Sequence, residues 1–224
     1  MVSEQIANPS RVADRGSSTR ATLLAAAREV FMQQGYAQAA ITDIVALAGA
    51  SVGSLYHHFA GKADLYLALF EELDETYEVR TRAAVREVRG AGVADPMRVL
   101  LAGARGYLDV CIEQRETAAM FARGDGPPGF ELMWRRRLVD WVRRNTEFFA
   151  RSGEPLEEAA AIVITGALGL AVTEVSLAPD GARARELADG VLAVLARLLS
   201  RDQETTSARQ GDAEVTAVIP PADA

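Results

Sequence analysis

The sequence has few of the side chains from which disulfides and metal sites are built. Its 224 residues contain one cysteine, Cys111, and two histidines, His57 and His58. A single cysteine cannot form an intramolecular disulfide, which fits a reducing cytosol. Adjacent helical residues point about 100° apart, so two neighbouring histidines rarely ligate one ion, and no other histidine or cysteine is available nearby. We therefore expect neither a disulfide scaffold nor a metal site.

Long hydrophobic runs are also missing. The longest uncharged apolar run lies between Glu158 and Glu174 and has 15 residues, short of the roughly 20 needed to span a bilayer. The first 18 residues have no apolar segment of the kind found in signal peptides. These features predict a cytoplasmic protein without a membrane partner, in which the apolar run forms a buried helix.

Motifs for catalysis and cofactor binding are lacking as well. The chain shows no glycine-rich phosphate loop, no nucleophile–base–acid arrangement and no defensible carboxylate pair. Cys111 lies in an apolar helical pattern with no histidine nearby, which favours a buried, inert thiol over a nucleophile. We expect no cofactor and no enzymatic activity. An enzyme or small-molecule carrier that uses a C-terminal cavity is the alternative.

Lysine is almost absent, and negative charge is unevenly placed. Lys62 is the only lysine among 24 basic residues, and the formal net charge is −7. Residues 1–61 nevertheless hold four basic and four acidic side chains, so the acidity lies in the rest of the chain. An overall negative charge alone opposes nucleic-acid binding, but a neutral N-terminal region does not.

Helical periodicity dominates the chain, and no strand-like alternation appears. We predict an all-α fold with helices at 19–34, 42–48, 52–59, 62–88, 97–112, 116–123, 130–150, 156–177 and 183–200. The predicted N-caps are Ser17 or Ser18, Thr42 and Ser51, and the predicted helix ends are Gly35, Gly49 and Gly61.

The stretch "GASVGSLYHHF", residues 49–59, indicates a helix-turn-helix. Two short helices meet at a tight turn that contains Gly49. Leu55 and Phe59 are spaced i, i+4 and are expected to point inward, which leaves small and polar residues on the outer face of the second helix. Such a helix can enter a DNA major groove, where glycine and serine permit close approach to base edges.

Residues 21–70 resemble the DNA-binding region of the TetR/AcrR family of bacterial transcriptional regulators. Ala50 stands where that family usually has valine, a small loss of volume. The matching positions are Gly35-Tyr36, Thr42-Asp43-Ile44, Ala48-Gly49, Ser51, Gly53, Leu55-Tyr56, Phe59, Lys62 and Leu65.

The resemblance implies an all-helical homodimer that regulates transcription, typically a repressor released from a palindromic operator when a small effector binds. It implies an N-terminal three-helix DNA-binding domain and a C-terminal helical domain for ligand binding and dimerisation. We assign residues 1–14 to a flexible arm, 15–61 and 62–200 to these domains, and 201–224 to a disordered tail. The DNA-facing positions carried over from the family are Thr42, Ser51, Val52, Gly53, Ser54, Tyr56, His57 and Lys62.

Aromatic side chains recur at helical spacing in the predicted helix 130–150. Such a stripe usually packs in a core, but the corresponding helix often lines the ligand cavity in the family. A mostly apolar lining would suit a hydrophobic or amphipathic effector held by one or two hydrogen bonds. The candidate ligand-binding residues are Tyr107, Met120, Phe121, Trp134, Trp141, Asn145 and Phe148.

Three further segments have alternative interpretations. Arg135, Arg136 and Arg137 are expected on a solvated face. The helix 156–177 is apolar all round, so with 183–200 it predicts a dimeric four-helix bundle, with an intrachain core helix as the alternative. Arg11, Arg15 and Arg20 either touch DNA beside the main contact or belong to a solvated arm.

Overall fold

The computed structural model describes residues 9–153 and 155–197, and within them all regular secondary structure is helical, as the sequence predicts. The predicted tail 201–224, the end of the last helix beyond 197 and residues 1–8 lie outside the described residues. The helices are α1 Pro9–Gln38, α2 Ile41–Ala48, α3 Val52–His58, α4 Lys62–Gly90, α5 Pro96–Glu113, α6 Arg115–Ala122, α7 Phe130–Ser152, α8 Glu158–Ser176 and α9 181–197.

The first helix is longer than predicted. α1 begins at Pro9, so neither Ser17 nor Ser18 caps it, and residues 9–14 of the predicted arm are helical. Proline is well tolerated in a first helical turn because its missing N–H has no intrahelical partner there. Gly35 breaks the helical geometry with φ 76° and ψ 162°, close to the predicted end, but helical hydrogen bonding resumes up to Gln38.

The turn between α2 and α3 has the geometry that its glycine predicts. Gly49 adopts φ 61° and ψ 29°, the left-handed region, and its N–H donates to the carbonyl of Ala46 at 3.2 Å. Ser51 caps α3 by accepting the N–H of Ser54 at 3.1 Å, as predicted. The cap of α2 is Ala40 rather than Thr42, which lies inside the helix.

The N-terminal core is formed by α1, α2, α3 and the beginning of α4. Leu55 and Phe59 are buried in it, as predicted. The same core includes Leu65 and Leu69, and it reaches Met120 and Phe130 in α6 and α7. The packing of this domain therefore continues beyond residue 61 and is shared with the C-terminal helices.

In the C-terminal part, two glycines of α5 let it approach α4 closely. A Cβ placed on Gly106 would lie 3.0 Å from the backbone oxygen of Arg80, and one on Gly103 would lie 3.3 Å from the methyl of Thr81. Cys111, one turn further along α5, is buried and its thiol donates to the hydroxyl of Tyr77 at 3.6 Å. The prediction that Cys111 is buried is confirmed.

The apolar helix α8 packs on α5, α6 and α7. Within the described residues it is the one helix long and apolar enough to cross a membrane, and 44% of its apolar window is buried inside the protein. Gly169 meets Leu138 of α7, whose methyl would lie 2.8 Å from an added Cβ. The opposite face, with Ile162, Val163 and Leu170, is exposed, so α8 is not buried on all sides within one chain.

Candidate nucleic-acid interface and ligand cavity

Most of the predicted DNA-facing residues of α2 and α3 lie on the surface of the protein. Leu55 is fully buried and anchors α3, whereas Val52 and Tyr56 are 43% and 55% exposed. Thr42 lies on the exposed side of α2, and Ser54 is half-buried behind the α3 cap. Within this surface the exposed predicted residues are Thr42, Ser51, Val52, Gly53, Tyr56 and His57.

Gly53 has no side chain at an exposed helical position where the fold does not require glycine. Its φ is not positive, and a Cβ added there would meet nothing closer than the hydroxyl of Ser51 at 3.8 Å. Glycine inside a helix destabilises it by roughly 0.5–1 kcal/mol relative to alanine. The packing of the protein therefore leaves free space above Gly53.

The two histidines lie at the end of α3. Their rings are arranged edge to face, with centroids 4.9 Å apart. His57 is exposed and His58 is half-buried. In the part of the chain that the structure describes, no group of three or more His, Cys, Asp or Glu side chains is placed to hold a metal ion.

Lys62 has a bonding pattern that the sequence did not reveal. Its ammonium donates to the carbonyls of Tyr36, Ala37 and Ala39 at 2.7, 3.2 and 3.0 Å. It also lies 4.5 Å from the centre of the Tyr36 ring. An ammonium has three hydrogens to donate, and all three are used here. We therefore assign Lys62 to the end of α1, whose carbonyls it caps, while its contact with a DNA phosphate stays a prediction.

The segment after Gly35 is also held from the C-terminal domain. The N–H of Tyr36 donates to a carboxylate oxygen of Asp125 at 2.8 Å, in the loop between α6 and α7. The rings of Tyr36 and Phe121 both pack edge to face on Tyr66 of α4. The end of α1 is thus a junction between the helix-turn-helix and the C-terminal helices.

A cavity of about 530 Å³ lies between α4, α5, α7 and α8. Tyr107 stacks on Tyr77 with ring centroids 3.9 Å apart, and Trp141 packs edge to face on Tyr107 at 5.0 Å. The side chain of Asn145 donates to the hydroxyl of Thr165 at 3.2 Å. Of the predicted ligand-binding residues, this cavity is lined by Tyr107, Trp141, Asn145 and Phe148.

The remaining predicted ligand-binding residues lie elsewhere. Phe121 and Trp134 line a second, smaller cavity of about 210 Å³. Met120 is 1% exposed, packs in the N-terminal core and lines neither cavity, so its role in ligand binding stays a prediction. Helical periodicity identified these apolar faces but could not distinguish which of several cores each face enters.

Charged residues in the large cavity were missed by sequence reasoning. Asp74, Arg82 and Arg89 of α4 line it together with Arg137 and Arg144 of α7. The α4 positions share one helical face, but charged residues at helical spacing are usually solvated. Arg137 was expected on a solvated face; it instead pairs with Asp74 and is partly buried. Burial lowers its pKa, and the nearby positive charge of Arg144 lowers that pKa further.

The exposed face of α8 fits the predicted dimer interface better than the predicted core helix. Gly166 lies at its centre with no atom within 4 Å of an added Cβ. Ile162, Val163 and Leu170 flank it, and Val194 of α9 is exposed as well. Leu195, by contrast, is 4% exposed and belongs to the interior of the protomer.

Comparison with known proteins identifies the helix-turn-helix region. Residues 23–69 match the model of bacterial regulatory proteins of the tetR family. The regulator TtgR of Pseudomonas putida is 38% identical over 77 residues, which cover 34% of this chain and 37% of TtgR. The repressor AcnR of Corynebacterium glutamicum is 33% identical over 86 residues, 38% of this chain and 46% of AcnR. The names of such relatives include both repressors and an activator.

The sequence matches thus span less than half the length of these curated relatives. A structural match extends further: a TetR-family transcriptional regulator (ECA1819) from Pectobacterium atrosepticum superposes with a TM-score of 0.55 and 28% identity, covering 83% of this chain and 94% of that one. The match of residues 23–69, the helix-turn-helix geometry and this shared architecture lead to one conclusion. Residues 23–69 are a helix-turn-helix region of the tetR family of bacterial regulatory proteins, and the chain shares its architecture with a solved TetR-family regulator.

Proposed function

We propose that the protein is a ligand-responsive DNA-binding transcriptional regulator that acts in the cytoplasm as a homodimeric repressor. TetR-family regulators bind operator DNA and act as dimers. The observation that carries the DNA-binding part is the exposed outer face of α3 with Gly53 at its beginning. A short helix with small side chains on its outer face fits a major groove about 12 Å wide.

In this proposal the base edges face Val52, Gly53 and Ser54. Phosphates face Thr42, Ser51, Tyr56 and His57, which carry groups able to donate hydrogen bonds. The hydroxyl of Ser51 accepts from the Ser54 amide, so its own hydrogen can be donated to DNA. Lys62 stabilises the helix-turn-helix indirectly, because its ammonium donates hydrogen bonds to carbonyls at the end of α1.

Dimerisation is proposed through α8 and α9. The exposed apolar residues around Gly166 would be covered when two copies pair in a four-helix bundle. Two symmetry-related α3 helices would then face two half-sites of a palindrome. An effector in the large cavity would release DNA if it binds the DNA-incompetent arrangement more tightly than the competent one.

The test is a mobility-shift titration with duplex DNA from the promoter region of the protein's own gene, against scrambled duplex of equal length and composition. The expected result is a sequence-dependent shift that survives competition by scrambled DNA. Binding that is independent of sequence and lost on adding salt contradicts the proposal. A reporter gene placed behind the bound promoter then shows whether the protein represses or activates transcription. Reduced expression is expected of a repressor.

A further inference from the structure

The large cavity carries more positive than negative charge, although the chain as a whole has a formal net charge of −7. Its charged lining consists of four arginines and two carboxylates. Arg82 pairs with Glu78 at 2.6 Å, and Arg137 pairs with Asp74. Arg89 and Arg144 have no carboxylate partner among the described residues. Two guanidinium groups at this cavity are therefore left without a counter-charge.

Both of these arginines flank one aromatic side chain at the rim. The guanidinium of Arg89 lies over the ring of Phe148, 5.5 Å from its centre. Arg144 precedes Phe148 by one turn of α7. Arg144 is also close enough to Arg137 for its charge to lower the pKa of the Arg137 guanidinium, in addition to the larger effect of burial. Arg89 is thus in contact with Phe148, and Arg144 is close to it along α7.

The walls of the cavity include the aromatic rings of Tyr77, Tyr107 and Trp141. The hydroxyls of Tyr107 and Thr81, two further residues of the lining, are buried and make no hydrogen bond. The rings therefore give the cavity an apolar wall against which the apolar part of a ligand can pack.

We propose that the effector of this cavity is an amphipathic organic carboxylate. Its apolar part lies against Tyr107, Trp141 and Phe148, and its carboxylate lies at the rim and accepts hydrogen bonds from Arg89 and Arg144. Guanidinium groups form strong, paired hydrogen bonds with carboxylates. This inference rests on the proposed effector-binding role of the cavity and adds the chemical class of the effector.

The test compares 2-naphthoate with 2-naphthamide, which have the same ring system and nearly the same size but differ in charge. Each is titrated into the full-length protein by calorimetry. Fluorescence of the chain's two tryptophans gives an independent signal, since Trp141 lines the large cavity. We expect the carboxylate to bind about tenfold more tightly than the amide, and this advantage to shrink at high salt.

Arg89→Gln and Arg144→Gln should each remove most of the preference for the carboxylate and leave amide affinity unchanged. Both positions are exposed, so the fold should tolerate the changes. Arg136→Gln is the matched control, because Arg136 lies on α7 and is exposed but does not line either cavity; it should keep the preference.

Any of three results overturns the inference. These are binding of the amide as tight as that of the carboxylate or tighter, binding of neither compound, and an equal loss of affinity for both compounds in the arginine variants. Operator binding by the same preparations separates this result from the proposed function. A protein that selects an operator but does not prefer the carboxylate contradicts only the effector class. A protein that prefers the carboxylate but selects no operator contradicts only the DNA-binding role.

Discussion

Gly53 is a glycine that the protein's own packing does not require, and its replacement separates folding from DNA binding. Because a Cβ there meets only ordinary contacts, Gly53→Ala should keep or raise the free energy of unfolding, by roughly 0.5–1 kcal/mol. Operator affinity measured by fluorescence anisotropy should fall, since the added methyl enters the space above α3. Gly90→Ala, also in open helical surroundings, should gain stability without losing affinity. Unchanged operator affinity in Gly53→Ala would remove the main support for α3 as the reading helix.

Lys62 is expected to act through stability and not through phosphate contact. Lys62→Met removes three hydrogen bonds to the end of α1 and should lower the free energy of unfolding by about 1–2 kcal/mol. The slope of log affinity against log salt should stay nearly constant, because no phosphate-bound charge is lost. Denaturation curves and DNA titrations at several salt concentrations measure both quantities. A salt slope reduced by about one charge per subunit, with the free energy of unfolding unchanged, would show that Lys62 contacts a DNA phosphate.

Cys111 gives the stability a defined pH dependence. Burial raises the pKa of its thiol from 9.0 to about 11. The folded protein therefore holds this proton more tightly than the unfolded chain does. The protonated Cys111 thiol therefore makes its full contribution to the free energy of unfolding below pH 9, and this contribution is lost as pH rises towards 11. Cys111→Ser cannot titrate there, so its free energy of unfolding, measured with urea, should fall less steeply over this range. Parallel curves for the two proteins would contradict the assignment.

At the scale of elements, the loop between α6 and α7 connects the C-terminal helices to the end of α1. Asp125→Ala removes the acceptor of the Tyr36 amide, so hydrogen exchange in residues 35–39 should become faster. Asp180→Ala is the control, because Asp180 also accepts two backbone amides but at the beginning of α9. The segment should respond to Asp125→Ala alone. Exchange that stays unchanged would show that the junction is held by the aromatic packing on Tyr66.

The sequence predicted the elements well where the signal was local. Gly49 and Ser51 act through hydrogen bonds to near neighbours, so their roles could be derived from residue type and spacing. The contact of Asp125 with Tyr36 joins residues far apart in sequence and leaves no local pattern. Arg144 shows the same limit: it was not predicted for the cavity, because only the packing of α4 against α7 reveals which charges face inward.

At the scale of the whole molecule, the exposed face of α8 predicts a dimer. Gly166→Arg should place a charge in the centre of that interface and yield monomers in light scattering, with the helical content preserved. Val79→Arg is the matched control, since Val79 is exposed on α4 away from α8 and α9, and it should stay dimeric. Arginine at Leu195 would instead disturb the protomer core. A wild-type protein that is monomeric at micromolar concentration contradicts the interface.

Whether a symmetric dimer reads DNA with α3 can be measured by selecting bound duplexes from a random pool with the full-length protein. We expect enrichment of an inverted repeat whose half-site centres lie about 34 Å apart or a multiple of that distance. Gly53→Ala and Gly166→Arg should each reduce affinity for the selected sequence. Enrichment of a single asymmetric site bound by one copy, or no enrichment at all, would rule out a symmetric dimer that reads DNA with α3.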